Sequence, residues 1–390
     1  MSDADTGISL DGLRPIPERG LLLHVGVFKT GTTALQESLR SASDTLASHG
    51  VTYHGPASWQ WKSLLSLLGT TKPRPGWLTL ESQITSAPGR AMVSSENLCG
   101  AKPGQAAAVV GRLGEGRPVT VLMTIRPHAD LLASTWQQFL KAGFHQGFGP
   151  WLHETLDEPG TRPSLFWRRN DFPAQVAKWG ELVGPENVIV VMSDKTFPRR
   201  NLAIVERLLD VPEGTVPMLE GVRDNRTMTW SEAQMLRQIN ARVLPVIGRD
   251  YHRRLVRLGA FPAMYKLATK APDPIPVPRW AAEKAAEIGR EQAAALKTSG
   301  AVLIGDVDVL GTGRWTVDGI IPPLKRVRVE IAVAAAAGGI IAARRVERAD
   351  RRVSKQAAAA EHMPRTPKPE PPPPTFSQRV RRRLIRMLSS

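Results

Sequence analysis

Short apolar runs and amphipathic stretches alternate along the chain. Residues 21–27, 51–53, 91–94, 119–125 and 187–192 are apolar or nearly so and are bounded by turn residues. That is the pattern of strands buried on both faces. Between them the apolar positions recur at helical spacing. Ala34, Leu35, Leu39 and Leu46 follow the first run, and helices are predicted over 59–68, 103–113, 130–141 and 172–182. Proline at 103 suits a first helical turn, where no amide partner is lost. A further helix is predicted over 230–243, opened by Thr229 with Glu232 three places on, a capping-box pair. Another is predicted over 279–296, rich in alanine and glutamate. This alternation implies a mostly parallel sheet with helices on both faces, an α/β fold.

The pattern changes towards the carboxyl end. Residues 331–343 are continuously apolar, but thirteen residues make a helix of about 20 Å, short of a ~30 Å hydrocarbon core. A docked or interfacial helix is expected there, not a membrane span. Residues 364–374 are proline-dense and read as an extended linker. The closing stretch FSQRVRRRLIRMLSS sets Phe376, Val380 and Leu384 at helical spacing among five arginines. It suits an anionic membrane surface, and equally a solvated basic tail.

Charge sharpens this division. Of the net +16 carried by 390 residues, +11 lies between residues 321 and 390, where 16 basic residues face 5 acidic ones. Basicity therefore belongs mainly to the tail and does not mark the rest of the chain as a specific nucleic-acid binder. The single cysteine, Cys99, excludes an internal disulfide and fits a reducing compartment. Residues 1–13 carry three aspartates and no apolar core of a signal sequence, so an intracellular, cytoplasmic protein is expected.

The first strand runs straight into LLLHVGVFKTGTTALQESLR. Gly26 and Gly31 have the spacing of a phosphate-binding loop, G-x-x-x-x-G-K-[ST], but Thr32 stands where the lysine belongs. The cation has moved inside the loop, to Lys29. Loop amides and a helix N-terminus attract an anion in either case. Losing the lysine after Gly31 argues against ordinary ATP or GTP hydrolysis, in which it would reach the terminal phosphates. A lysine within the loop can instead meet charge that builds on a departing oxygen.

The loop K-T-G-T-T after an apolar strand resembles the 5′-phosphosulfate loop of sulfotransferases that use 3′-phosphoadenylyl sulfate (PAPS). That resemblance implies a P-loop NTPase-like three-layer fold in which Lys29 stabilises the oxygen bridging phosphate and sulfate. Thr30, Gly31, Thr32 and Thr33 would hold the 5′-phosphate through backbone amides and hydroxyls. TIRPHADLLASTWQQF resembles the family's 3′-phosphate reader, with Arg126 at the strand end and Ser134 eight residues on. Pro127 comes one place earlier than in the usual pattern. The likeness covers about residues 21–240, and LIGDVDVL at 303–310 resembles a closing segment of bacterial relatives. The late K-x-x-x-G-x-x-G-x-W loop of phenol and steroid sulfotransferases is missing.

The resemblance also divides the chain. Residues 1–19 form an N-terminal tail and 20–315 the sulfotransferase domain. Composition sets residues 316–350 apart as an apolar and basic helical extension and 351–390 as a proline-rich basic tail, expected to be disordered.

An acceptor hydroxyl needs a base. Glu96, in AMVSSENLCG just past a strand end, fills that role by analogy with carbohydrate-acting members; members acting on phenols use a histidine. The other reading is that Ser95 and Glu96 cap the next turn. His24 reads as a core histidine, and His128 falls near the expected nucleotide. Arg223, Asn225 and Arg226 precede a capped helix and suit phosphate or adenine contacts, while Trp59, Trp61 and Trp77 could stack on a sugar. The histidines show no metal-ligand spacing with Cys99, and no metal is expected. The function expected is sulfuryl transfer from PAPS to a carbohydrate or glycolipid hydroxyl. A kinase with a degenerate loop, or a membrane-surface or scaffold protein with a vestigial nucleotide site, are the alternatives. The kinase would want an aspartate for its metal where Arg126 stands.

Overall fold

The computed structural model describes residues 6–10, 12–53, 64, 75–157, 164–219, 227–267, 273–324 and 326–361. Six strands form one sheet: β1 Leu21–Gly26, β2 Thr52–Tyr53, β3 Ala91–Ser94, β4 Val119–Ile125, β5 Val188–Met192 and β6 Val302–Ile304. Their order is β2-β3-β1-β4-β5-β6, and every ladder is parallel. Parallel neighbours need crossovers, and helices supply them: α1 Thr32–Ser41, α2 Pro103–Leu113, α3 His128–Lys141, α4 Leu165–Asn170, α5 Phe172–Val183 and α6 Arg200–Leu209. The carboxyl-side half adds α7 Trp230–His252, α8 Arg279–Lys297 and α9 Val329–Glu361. This is an α/β fold with a parallel six-stranded sheet and a helical C-terminal extension.

The apolar runs divide by strand periodicity into two cores. Leu21, Leu23, Val25, Val93, Val121, Met123 and Ile125 point into one core, shared with α2, α3, α5 and α8. Leu22, Met92, Leu122, Ile189 and Val191 point into a second, smaller one with Leu35 and Leu39 of α1 and Leu202 and Val205 of α6. Burying each such aliphatic side chain contributes roughly 1.5–3 kcal/mol, which is why the sheet is covered on both faces. Residues before β1 join the second core through Leu13 and Ile16, and Arg207 Nε donates to the Leu13 carbonyl at 2.9 Å.

Two helices run further than their patterns predict. The capping box is present, with Glu232 N–H donating to Thr229 Oγ1 at 3.2 Å, but α7 passes Pro245 and continues to His252. It kinks at Gly248, where φ is 71°, and a π-helical segment, Arg253–Ala260, follows. α9 extends well beyond the apolar stretch, to Glu361, because alanine, arginine and glutamate favour the helix as strongly as the apolar residues do. It is docked: Gly338 and Gly259 pack so closely that a Cβ on either would meet the other's carbonyl oxygen. Arg254 also pairs with Asp350 at 3.0 Å. Among the described residues no helix is long and apolar enough to cross a membrane.

Candidate active site

β1 ends at Gly26, and the next five residues turn the chain into α1. Two residues in the loop take left-handed backbone angles, Lys29 at φ 70° and Gly31 at φ 88°. Gly31 is the N-cap of α1 and offers no side-chain cap, so the helix opens with unsatisfied amides. Among the described residues the N–H groups of Lys29, Thr30 and Gly31 also find no acceptor. Alternating hand in successive residues turns such amides towards one point, an anion-binding nest. Gly26 must be glycine on steric grounds as well. Its φ is 96°, and a Cβ there would come within 2.9 Å of the Glu96 Cα.

The loop threonines behave differently from expectation. Thr30 Oγ1 donates to the Val27 carbonyl at 2.9 Å, and Thr32 Oγ1 to the same oxygen at 3.3 Å; both residues are buried. Their hydroxyls therefore brace the loop from within, leaving their amides and the exposed Thr33 to face a ligand. The Thr30 carbonyl is held in turn by Ser193 Oγ at 3.3 Å and Asn201 Nδ2 at 3.2 Å.

Lys29 and Arg126 are brought together by the ends of β1 and β4. Arg126 Nη1 donates to the Lys29 carbonyl at 3.0 Å, pinning the strained residue. Its Nη2 forms a 2.7 Å ion pair with Asp130, four residues on in the first turn of α3, and the arginine side chain is only 12% exposed. The Lys29 ammonium is half-buried and forms no ion pair with a described residue. Burial lowers its pKa, Glu96 raises it and Arg126 lowers it, so both groups lie within electrostatic reach.

Glu96 stands at the start of a single 3-10 turn, Glu96–Gly100, directly after β3. Ser95 caps nothing with its side chain, so the capping explanation of this pair is not realised. Gln36 of α1 holds the Glu96 carboxylate, donating from Nε2 at 3.3 Å while also reaching the Ser94 carbonyl at 3.1 Å. A buried polar chain leads on from there: Ser94 Oγ to His24 Nδ1 at 2.8 Å, His24 Nε2 to Thr124 Oγ1 at 3.4 Å, and Thr124 Oγ1 to Thr30 Oγ1 at 2.6 Å. Glu96 and the phosphate-binding loop are thus braced through one network across β3, β1 and β4.

The remaining candidates divide. His24 is the core histidine its strand position suggested, fully buried with its pKa lowered to about 4 by desolvation. His128 is a core residue as well. It is fully buried, stacked on Phe172 at 4.8 Å, with Nε2–H donating to the Asn170 carbonyl at 2.8 Å. Ser134 lies on α3 with its hydroxyl donating to the Leu131 carbonyl at 3.0 Å and makes no hydrogen bond to Arg126. Trp59, Trp61, the Trp77 side chain, Arg223, Asn225, Arg226 and the tail from 362 lie outside the described residues.

Comparison with known proteins adds little. No family model matches the chain, and no curated protein matches it. A solved sulfotransferase from Alicyclobacillus acidocaldarius is similar to this chain at 17% identity and a TM-score of 0.33. The similarity covers 51% of this chain and 82% of that one.

Several residues of the site carry no motif in the sequence. Gln36, Asp130, Asn201 and Arg169 each reach it from a helix. Only Asp130 left a signal, the i, i+4 spacing to Arg126 across the strand–helix junction. Cys99, in the same turn as Glu96, is buried and its thiol is pushed up to about 12 by burial, which removes it as a nucleophile. Among the described residues no group of three or more His, Cys, Asp or Glu could hold a metal ion.

Proposed function

We propose that this chain is a sulfotransferase that moves a sulfuryl group from PAPS to a hydroxyl of a carbohydrate or glycolipid acceptor. One observation carries the reading. A nest of unpartnered amides holds a lysine inside the loop, and the arginine at the end of β4 is bonded to that lysine's own carbonyl. An anion seated in the nest meets Lys29 at the bridging position and Arg126 beside it, which suits a nucleotide carrying both a 5′-phosphosulfate and a 3′-phosphate. The open helix N-terminus and unsatisfied amides fit such a group.

PAPS supplies an activated sulfur–oxygen bond whose cleavage leaves charge on the bridging oxygen. Lys29 acts where that charge develops, in the transition state more than in the ground state. Arg126 fixes the nucleotide end with a charged donor fork, and Asp130 orients that fork. Glu96 takes the acceptor proton as the acceptor oxygen bonds to sulfur and the bond from sulfur to the bridging oxygen breaks. Gln36 and the buried network hold Glu96 in register with the loop. We place the reaction in the cytoplasm, with the basic tail meeting an anionic membrane face.

The test is sulfate transfer from PAPS to a panel of glycans and glycolipids by wild type, Glu96→Gln and His128→Ala. The glutamine variant keeps the shape and removes the basic oxygen. Turnover is expected to fall by about 10²–10⁴, the range for a general base, with nucleotide affinity unchanged. Near-normal turnover in Glu96→Gln would remove Glu96 as the base and, with it, the preference for a carbohydrate.

A further inference from the structure

Arg169 takes no part in the nucleotide reading, yet it is a cation near the site with a buried nitrogen left unsatisfied. It lies in the last turn of α4, half-buried, with its guanidinium 4.4 Å from the centroid of the Phe28 ring. Phe28 belongs to the phosphate-binding loop, next to Lys29. On its other side Arg169 meets Gly100, where a Cβ would sit 3.5 Å from Nε. Nε is buried without a hydrogen-bond partner, and the guanidinium forms no ion pair with a described residue. Burial lowers its pKa, Cys99 and Glu96 raise it, and Arg168 lowers it. A buried guanidinium N–H without an acceptor is costly to keep, and stacking on one aromatic ring offsets only part of that cost.

Its place near Glu96 bears on the acceptor. Glu96 acts electrostatically on both Lys29 and Arg169, raising the pKa of each. Arg169 lies against the phosphate-binding loop through Phe28 and against the Glu96–Gly100 turn through Gly100. The same turn gathers further positive charge. Lys178 donates to the carbonyls of Cys99 at 3.3 Å and Ala101 at 3.1 Å, and Arg168 is exposed beside it. If Glu96 accepts the acceptor's proton, an acceptor docked at that turn has Arg169 as a neighbouring cation.

We infer that Arg169 binds an oxyanion substituent of the acceptor, a carboxylate or an existing sulfate ester, and so selects anionic glycans over neutral ones. This rests on the sulfotransferase reading for the identity of the acceptor, and it deepens that reading. The planar fork presented over Phe28 matches the two oxygens of such a group. Arg169 thereby acts in specificity and leaves the reacting atoms to Lys29 and Glu96.

The test is calorimetric titration of the full chain, saturated with 3′,5′-bisphosphoadenosine, with three oligosaccharides of equal length. One bears glucuronate, one is its carboxyl-reduced neutral counterpart, and one bears a sulfate ester. Wild type is expected to bind at least one anionic sugar about 10-fold to 100-fold more tightly than the neutral one. The tighter of the two identifies the oxyanion. Arg169→Gln should abolish that preference without changing neutral binding or melting temperature, and Arg169→Lys should restore part of it. Equal or undetectable binding of all three sugars, or a preference that survives in Arg169→Gln, overturns the assignment. So does an equal loss for charged and neutral sugars, which marks a packing role. A bisphosphate that fails to bind, with the anionic preference intact, would sink the sulfotransferase reading and leave the Arg169 assignment standing.

Discussion

Two buried histidines make the fold sensitive to mild acid, and His128 allows the effect to be isolated. His24 and His128 are both fully buried, and burial lowers each pKa from 6.5 to about 4. In the unfolded chain both bind a proton below pH 6.5, whereas the native state keeps them neutral down to about pH 4. Stability is therefore complete above pH 6.5 and lost as pH falls towards 4. Each histidine accounts for about 3 kcal/mol over the whole window, and about 2 kcal/mol of that is lost between pH 7 and pH 5. Against a total of about 5–15 kcal/mol for a domain, this is a large share. Replacing His128 by Phe keeps a ring against Phe172 and Trp167 but strips the Asn170 carbonyl of its donor. It also removes Nδ1, which is buried without a partner. A cost of about 1–2 kcal/mol at pH 7 is expected from the lost hydrogen bond. The variant then loses about 2 kcal/mol less than wild type on going to pH 5, so the two stabilities converge in acid. Urea unfolding at pH 5, 6 and 7, followed by tryptophan fluorescence, measures this directly. An identical acid loss in wild type and His128→Phe would refute the claim that a buried neutral His128 sets part of the pH dependence.

Other consequences follow from the loop. Lys29→Ala should reduce turnover far more than affinity for the bisphosphate product, while Arg126→Ala should mainly weaken nucleotide binding, by ~1.5–3 kcal/mol; paired kinetics and calorimetry separate the two. If both variants lost affinity equally and kept their turnover at saturation, the roles given to the two cations would be wrong. Gly26→Ala puts a Cβ 2.9 Å from the Glu96 Cα at a φ of 96°. It should destabilise by ~2–4 kcal/mol and lower turnover by shifting Glu96 from the loop, read by melting temperature and transfer rate. Wild-type stability and rate in that variant would show that the approach of β1 to Glu96 is relaxed.

The sheet was legible because its signal is local. A strand buried on both faces must be largely apolar, and β1, β3, β4 and β5 are, with His24, Ser94, Thr120 and Thr124 the exceptions. Lys29 and Glu96 were legible because each sits at a strand end, where the pattern itself marks the position. Side-chain direction was not. Nothing in K-T-G-T-T says that the hydroxyls of Thr30 and Thr32 turn inward to Val27, since amide and hydroxyl can each meet an anion. His128 was misplaced for the same reason: it follows Arg126 closely in sequence, but the first turn of α3 rotates it into the aromatic cluster of Phe166, Trp167 and Phe172. Arg169 was invisible because its site is assembled from α4, the Glu96–Gly100 turn and the phosphate-binding loop, which only tertiary packing brings together.

The central claim is that the loop reads a nucleotide with a 3′-phosphate, and ligand-induced stabilisation tests it most directly. In magnesium-free buffer, 3′,5′-bisphosphoadenosine at 100 times its Kd should stabilise the protein by about 2.7 kcal/mol and raise the melting temperature by several degrees. ATP should have little effect with or without magnesium, and Arg126→Ala should lose most of the response to the bisphosphate. Equal stabilisation by ATP, dependent on magnesium, would contradict the account and identify a kinase-type site instead.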